Sequence, residues 1–425
     1  MSDRSILIKR GTVIDPASEF NRKEVDILIK NGVIDDISTK NISAKAIEVV
    51  DAHGLIIMPG MADMRCQLKE PGYEHQETIK NGCEAATFSG FTALAVQPTT
   101  LPLTQTKAQI EFLKKHENYV LPDLLPIGCA SHDLESGDIT EMFDMTSAGA
   151  VGFSNGDKSY KNGGVLLRAL LYSKQFGGLI MSHALDETLV ANAQVNESAT
   201  TVHTGLKQQP DIVESTQLLK EIEIADYAEA HIHFSHISSA KSVEIIRKAK
   251  RQGKKISCDV SIWHLVFNDT SVVDYNTNYK VSPPFRTEKD RKALIKAVND
   301  GTIDAIVSDH NPQNIENKLV EFDYARNGIN GFQTFLSVYS QYLSKEISLE
   351  TWVKKTSINP RKLLNQPKIE INKKQVANLF VADLHKKWLY DKKSNLSVST
   401  NNPLFGGELT GKCIAVVNGV KYNVF

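Results

Sequence analysis

Cysteine is scarce in this chain, and what there is stands apart. Cys66, Cys83, Cys129, Cys258 and Cys413 are scattered singly, with no Cys-x-x-Cys spacing. That excludes a disulfide framework and a cysteine zinc site, and it fits the reduced thiols of a cytoplasmic protein. Each cysteine reads as a small buried hydrophobe. Neither sign of charge is in excess: 49 Lys and Arg face 50 Asp and Glu, for a formal net charge of -1. No nucleic-acid or membrane surface is therefore expected as the main partner. Long apolar runs are missing too. None would span a bilayer, and the stretch Met1-Ser-Asp-Arg-Ser-Ile-Leu-Ile-Lys-Arg10 holds too short an apolar run for a signal peptide. Gly152, Gly156, Gly163 and Gly164 make no phosphate cradle ahead of a helix, and no Gly-x-Ser-x-Gly element or Cys/His nucleophile arrangement occurs. The sequence shows no internal repeats, low-complexity segments or disordered linkers.

What is there is 425 residues, 41% hydrophobic and 23% charged, enough to bury one large core or two. Residues 3 to 57 read as short strands: Ser5-Ile-Leu-Ile-Lys, Val25-Asp-Ile-Leu-Ile-Lys and Ile47-Glu-Val-Val-Asp, with turn signals at Asp15-Pro16 and Asn31-Gly32. From Met58 the rhythm changes to apolar strands alternating with helix-length segments. Strands start at Met58, Phe91, Leu124, Ala150, Leu179, His231, Lys255 and Ala305. Helices are predicted over Thr104 to Glu117, Gly163 to Phe176, Ala240 to Gln252 and Thr287 to Asp300, the last with a capping-box pattern in which Asp290 stands for the usual Glu or Gln. Eight such units over roughly 250 residues predict an α/β fold, a closed (β/α)8 TIM-like barrel. Helices follow over Gly331 to Ser344 and Ser348 to Leu364. Strands then return at Ala377, at Leu396-Ser-Val-Ser399 and at Cys413, with a tight turn at Asn418-Gly419, and they are expected to pair with the N-terminal strands.

The most informative stretch runs from Met58 to Gly72. Strand alternation puts Asp63, Arg65 and Gln67 on one face and Met64, Cys66 and Leu68 on the other, before Pro71-Gly72 breaks the strand. A polar row at the end of an apolar strand lines a pocket, and barrel sites sit at the C-terminal strand ends. Those ends carry Arg65 and Gln67, Gln97 to Thr99, Asn155-Gly156-Asp157, His183, His236 and Asp309-His310. His183, His236 and Asp309 converge from strands five, six and eight as either metal ligands or satisfied core and loop residues. His132, His231, His233, His264 and His310 read as supporting or core residues, and Glu74 and His75 as exposed loop.

Pro59-Gly-Met-Ala-Asp, Leu68-Lys-Glu-Pro-Gly, Gly90-Phe-Thr-Ala, His236-Ile-Ser-Ser-Ala-Lys-Ser, Lys280-Val-Ser-Pro-Pro-Phe-Arg, Gly301-Thr-Ile-Asp-Ala-Ile-Val-Ser-Asp-His-Asn-Pro and Gly328-Ile-Asn-Gly together resemble the dihydroorotases of the amidohydrolase superfamily. The resemblance implies a barrel over residues 58–371 inserted into a composite β-sandwich of residues 1–57 and 372–425. It places His183 and His236 as ligands of one metal, and Asp309 as the metal-bound aspartate that also moves the proton. Elsewhere the sequence departs from the pattern. Arg65 and Gln67 replace a His-x-His ligand pair, and Asn155-Gly156 falls where a bridging carboxylate is expected, with Asp157 one slip away. Among the substrate contacts, Lys69 replaces an arginine, Thr99 and Ser282 replace asparagines, and Gln313 replaces a histidine. A lysine cannot reproduce the bidentate fork of arginine.

A cyclic amide is hydrolysed at neutral pH by a polarised carbonyl and an acidified water, both supplied in this superfamily by metal. Arg65 brings a permanent positive charge to that place. It is expected to pair with Asp309, while neutral Asn155 avoids a surplus carboxylate; the alternative is an Arg65 that reaches solvent. Three functions stay open. The first is a non-catalytic dihydroorotase homologue, a pseudoenzyme without cofactor. As the resemblance implies, it would act as a scaffold for aspartate carbamoyltransferase. The second is a cyclic-amide hydrolase acting on dihydroorotate or a hydantoin-type imide with one zinc at His183, His236 and Asp157 or Asp309. The third is a sensor that binds dihydroorotate or carbamoyl-aspartate at Arg65 and Lys69. Family members are commonly dimers, so a homodimer is expected.

Overall fold

The chain's two rhythms fold into two sheets. The computed structural model describes residues 5–44, 46, 48–135 and 137–425. Eight parallel strands lie side by side in chain order: Met61–Cys66, Phe91–Val96, Asp123–Cys129, Gly152–Ser154, Ile180–Ser182, Ile232–Phe234, Ile256–Ser261 and Ala305–Val307. The seam between last and first is bridged at Cys66 and His310, where the Gln67 N–H donates to the His310 carbonyl at 2.9 Å. The strands fall where the sequence predicts them, except that the first begins at Met61: Met58 and Pro59, read as its start, pair with Phe380 and Leu379 in the second sheet. Ala62, Met64, Ala93, Ala95, Leu125, Ile127, Met181, Ala305 and Val307 fill the barrel. Larger side chains such as Phe153, Phe234, Ile246 and Val298 pack between the strands and the surrounding helices.

The first strand corrects the simple alternation read from its sequence. Its ladder to the second strand is irregular between Asp63 and Cys66, so Met64 stays with Ala62 in the barrel filling while Cys66 and Leu68, read on the same face, join the other core. Asp63 leaves the polar row and clamps the seam, accepting from the Ser308 N–H at 3.1 Å and from the Ser308 hydroxyl. An irregular ladder re-aims the residues beyond it, and here it turns Arg65 and Gln67 to the site.

The helices obey their caps. The Ser239 hydroxyl accepts from the Ser242 N–H at 3.1 Å, and Ala240–Arg251 then buries Val243, Ile246 and Ala249 on one face. Thr287 and Asp290 form the expected capping box at the start of Glu288–Asp300. The predicted helix from Ser348 to Leu364 is interrupted instead: Leu349–Val353 and Asn359–Leu363 are separated by a π-helical turn over Lys354–Ile358. Pro360 lacks an N–H and its ring crowds the preceding turn, which favours a widened turn. The sequence reading also passed over Ile212–Ala228, a helix of 17 residues.

Strands from both chain ends share the second sheet, in the order Lys421–Val424, Glu408–Asn418, Asn378–Leu389, Ile56–Pro59, Ser5–Val13, Glu24–Lys30 and Val33–Ser38, with Glu48–Asp51 beside Ser5–Val13. Ile47, read as the start of one strand, lies outside the described residues. Asn31 and Gly32 turn the tight hairpin between Glu24–Lys30 and Val33–Ser38 with φ of 48° and 80°, the positive values that favour this pair of residues. One predicted strand is absent. Leu396 to Ser399 is a strap over the barrel's C-terminal end, where Glu77 accepts from the Ser397 hydroxyl and from the Val398 N–H at 3.2 Å. These groups bond to a loop carboxylate and so are not in a ladder. Among the described residues, no helix is long and apolar enough to cross a membrane.

Candidate functional site

The C-terminal strand ends bring together most of the residues singled out in the sequence. Arg65 is 2% exposed, which rules out the solvent-facing alternative. Its guanidinium forms an ion pair with Asp157 and donates to the Gly156 carbonyl at 3.3 and 3.4 Å. The expected partner, Asp309, is displaced from this role because the 155–157 loop delivers a carboxylate from the fourth strand. Gln67 donates to the other Asp157 oxygen at 3.1 Å, and Lys69 Nζ donates to Gln67 Oε1 at 2.5 Å. Asn155 is turned aside: its Oδ1 accepts from the N–H and hydroxyl of Ser131 at 3.1 and 3.2 Å.

Asp309 instead lies with Oδ1 3.3 Å from His236 Nε2. The His183 and His236 rings meet edge to face with centroids 5.8 Å apart. His183 Nε2 is buried without a hydrogen-bond partner among the described residues. Burial, reinforced by the Arg65 charge, pushes His183 down to about 4 and His236 well below the ordinary imidazole range. Burial raises Asp309 well above the carboxylate range against the pull of Arg65. Burial also opposes the Asp157 carboxylate, yet Arg65, with His183 and Lys69 adding to it, holds that group below its usual value. Lys69 falls to about 8, again chiefly through burial.

The substrate-contact positions divide. Thr99 packs over Gly156, where any side chain would collide with its methyl group. Ser282 lines a cavity of about 690 Å³ with Lys158, Lys161, Lys280 and Arg326. Gln313 is not brought to the site. Its side chain bonds Asn311 and Asn317, both at 3.0 Å, and it faces a separate groove beside Ile315 and Lys318.

Two supporting residues escaped the sequence reading. Asp259, fully buried in the seventh strand, accepts from the His236 N–H at 2.7 Å and meets His233 Nε2 at 2.9 Å, fixing His236 at a positive φ of 59°. A lone acid inside the apolar run Ile256-Ser-Cys-Asp-Val was its only signal. Glu77 holds the strap and stands 3.7 Å from His310, which stacks on Phe332.

The residues do not fit a binuclear metal centre. A buried guanidinium occupies the end of the first strand, the fourth-strand carboxylate is neutralised by it, and the described residues contain no group of three or more His, Cys, Asp or Glu that could hold a metal ion.

Comparisons with known proteins agree with this architecture. A family profile described as Dihydro-orotase-like matches residues 54–242. The dihydroorotase of Syntrophus aciditrophicus is 36% identical over 412 residues, covering 96% of each chain. That of Acetivibrio thermocellus is 35% identical over 420 residues, covering 97% of this chain and 98% of the relative. Among solved structures, the L-hydantoinase (dihydropyrimidinase) from Arthrobacter aurescens superposes with a TM-score of 0.85 at 22% identity over 99% of this chain and 97% of its own, a likeness of fold. With full-length identity at this level, the chain belongs to the dihydroorotase family.

Proposed function

We propose that this protein serves pyrimidine biosynthesis as a dihydroorotase homologue without metal-dependent hydrolysis, acting as a scaffold for aspartate carbamoyltransferase. One observation carries the loss of hydrolysis: the ion pair of the buried Arg65 with Asp157 at the strand ends. A guanidinium can donate hydrogen bonds to a carbonyl, but it does not bind a water and lower its pKa as a metal does. A third cation placed against Arg65 and Lys69 would also be repelled. The scaffold role is supported by apolar side chains lining the groove that Gln313 faces, where Ile315, Leu319 and Tyr275 are 60%, 80% and 47% exposed. Contiguous exposed apolar surface of this kind marks interaction sites.

The test is metal content of protein purified without chelators, together with dihydroorotate hydrolysis in added zinc. The expected result is metal far below one equivalent and no turnover; one zinc per chain with turnover overturns the reading. For the partner, co-sedimentation with aspartate carbamoyltransferase of the same organism is expected for the wild type and lost in Leu319→Lys, which alters only an exposed side chain.

A second reading is a reduced hydrolase of dihydroorotate or a hydantoin-type imide. The buried, unpartnered Nε2 of His183 favours it; one zinc there requires His183, His236 and Asp157 or Asp309 to draw closer together, since as placed the described residues form no group of three that could hold a metal ion. Zinc retained by the wild type and lost in His183→Ala would support it. Binding of dihydroorotate or carbamoyl-aspartate without turnover is the third use of the same pocket. Asp157 already neutralises Arg65 and Gln67 already accepts from Lys69, so such a ligand must displace both contacts.

A further inference from the structure

A second buried arginine lies at the opposite end of the barrel. Arg361, on the short helix Asn359–Leu363, is 4% exposed and makes no ion pair among the described residues. Its Nη2 donates to Thr92 Oγ1 at 2.7 Å and to Asn378 Oδ1 at 3.3 Å, and its Nε is buried without a partner. Burial lowers it to about 10, which leaves it charged at neutral pH. Arg361 lines a cavity of about 410 Å³ between the N-terminal ends of the barrel strands and the second sheet. The other walls are amides, Gln366, Gln375, Asn378 and Asn418, with the carboxylate of Asp123; Glu370, also on the wall, is matched by Lys368. One Asp123 oxygen accepts from Asn418 Nδ2 at 3.1 Å.

A buried guanidinium is stable when its donors are answered or an anion faces it; buried Arg286 has neutral oxygens on Nε, Nη1 and Nη2, whereas Arg361 leaves its Nε unanswered. Asp123 already pulls on the Arg361 charge across the cavity, which has room for a further anion, and Asp123 offers an acceptor for an N–H on the same molecule. We propose that this cavity is a second ligand site, which takes a small carboxylate bearing an N–H donor, with the carboxylate on Arg361 and the N–H on Asp123. An amino acid and an N-acylated amino acid share that chemistry. The site is independent of the strand-end pocket and of the function proposed for it.

The test is thermal unfolding of the full chain titrated with N-acetylglycine, with acetate and N-methylacetamide as its two halves. A ligand bound only by the folded state raises the midpoint. A saturable rise with N-acetylglycine that neither half reproduces is expected. Arg361→Lys weakens binding about tenfold, the scale of one lost charge-assisted hydrogen bond. Gln375→Trp, at an exposed position on the cavity wall, abolishes the rise without disturbing the barrel. Arg65→Met keeps the rise. No saturable shift up to about 10 mM overturns the proposal, since millimolar binding is the weakest of use in a cell. A shift lost in Arg65→Met and kept in Gln375→Trp overturns it as well, by placing the ligand at the strand-end pocket.

Discussion

Arg65 and Arg361 are buried to the same degree at opposite ends of one barrel, yet their surroundings differ. Arg65 faces a carboxylate and a carbonyl; Arg361 faces a hydroxyl and an amide oxygen, with one N–H unanswered. At an effective dielectric near 20, a unit charge pair at 4 Å is worth about 4 kcal/mol, so the presence of the carboxylate dominates this comparison. The C-terminal end is electrically closed by the chain itself. The N-terminal end is left to be closed by something else.

The pair at the closed end is also asymmetric. Arg65 is 2% exposed, whereas the Asp157 side chain is 49% exposed. Asp157→Asn strands a guanidinium with no route to water, and a loss of about 3–5 kcal/mol is expected in urea unfolding. Arg65→Met leaves a carboxylate that water can reach, and a loss of roughly 1–2 kcal/mol is expected. Equal losses would mean that Arg65 finds another anion, with Asp309 the nearest candidate, and the contrast with Arg361 would weaken.

The strap over the closed end gives a pH-dependent version of the comparison. Burial raises Glu77 from 4.5 to about 7, against the donors Ser397, Val398 and Thr78. Across that window the folded protein keeps a proton that the unfolded chain has released. The contribution of Glu77 is therefore fully present below about 4.5 and is lost as pH rises through about 7. His310, 3.7 Å away, is pushed down to about 3 by burial and stays neutral across the same window. Relative to the wild type, Glu77→Gln is expected to gain on the order of 2 kcal/mol between about pH 5 and pH 8 in denaturant titrations. A constant difference would show that Glu77 is ionised throughout and that the strap is held by a full charge.

The strands of the barrel and the helices Lys107–His116, Gly163–Lys174, Ala240–Arg251 and Glu288–Asp300 were legible because alternating apolar runs and caps act locally. That Arg65, Gln67 and Asn155 stand at the strand ends was legible too, directly from the sequence. The partner of Arg65 was not. Choosing between Asp157 and Asp309 depends on how three loop residues, Asn155 to Asp157, turn their side chains, with an amide at one end and a carboxylate at the other. Leu396 to Ser399 alternates like a strand, but its polar groups are taken by Glu77, more than 300 positions earlier in the chain. Arg361 read as one more helical residue, because its burial is set by Thr92, Asn378 and Asn418 from two sheets.

The smallest expected effect separates the two arginines most sharply. Arg361→Met gives up two hydrogen bonds to neutral oxygens, each worth about 1 kcal/mol net, and also removes a buried charge that makes no direct ion pair among the described residues. The two changes oppose each other, and a stability within about 1 kcal/mol of the wild type is expected in the absence of ligand. Thr92 and Asn378 keep a bond to each other at 2.7 Å, so neither oxygen is left bare. A ligand-free loss as large as that of Asp157→Asn would show that Arg361 already has its counter-charge, with Asp123 reaching it through ordered water, and the two ends of the barrel would then be closed by the same device.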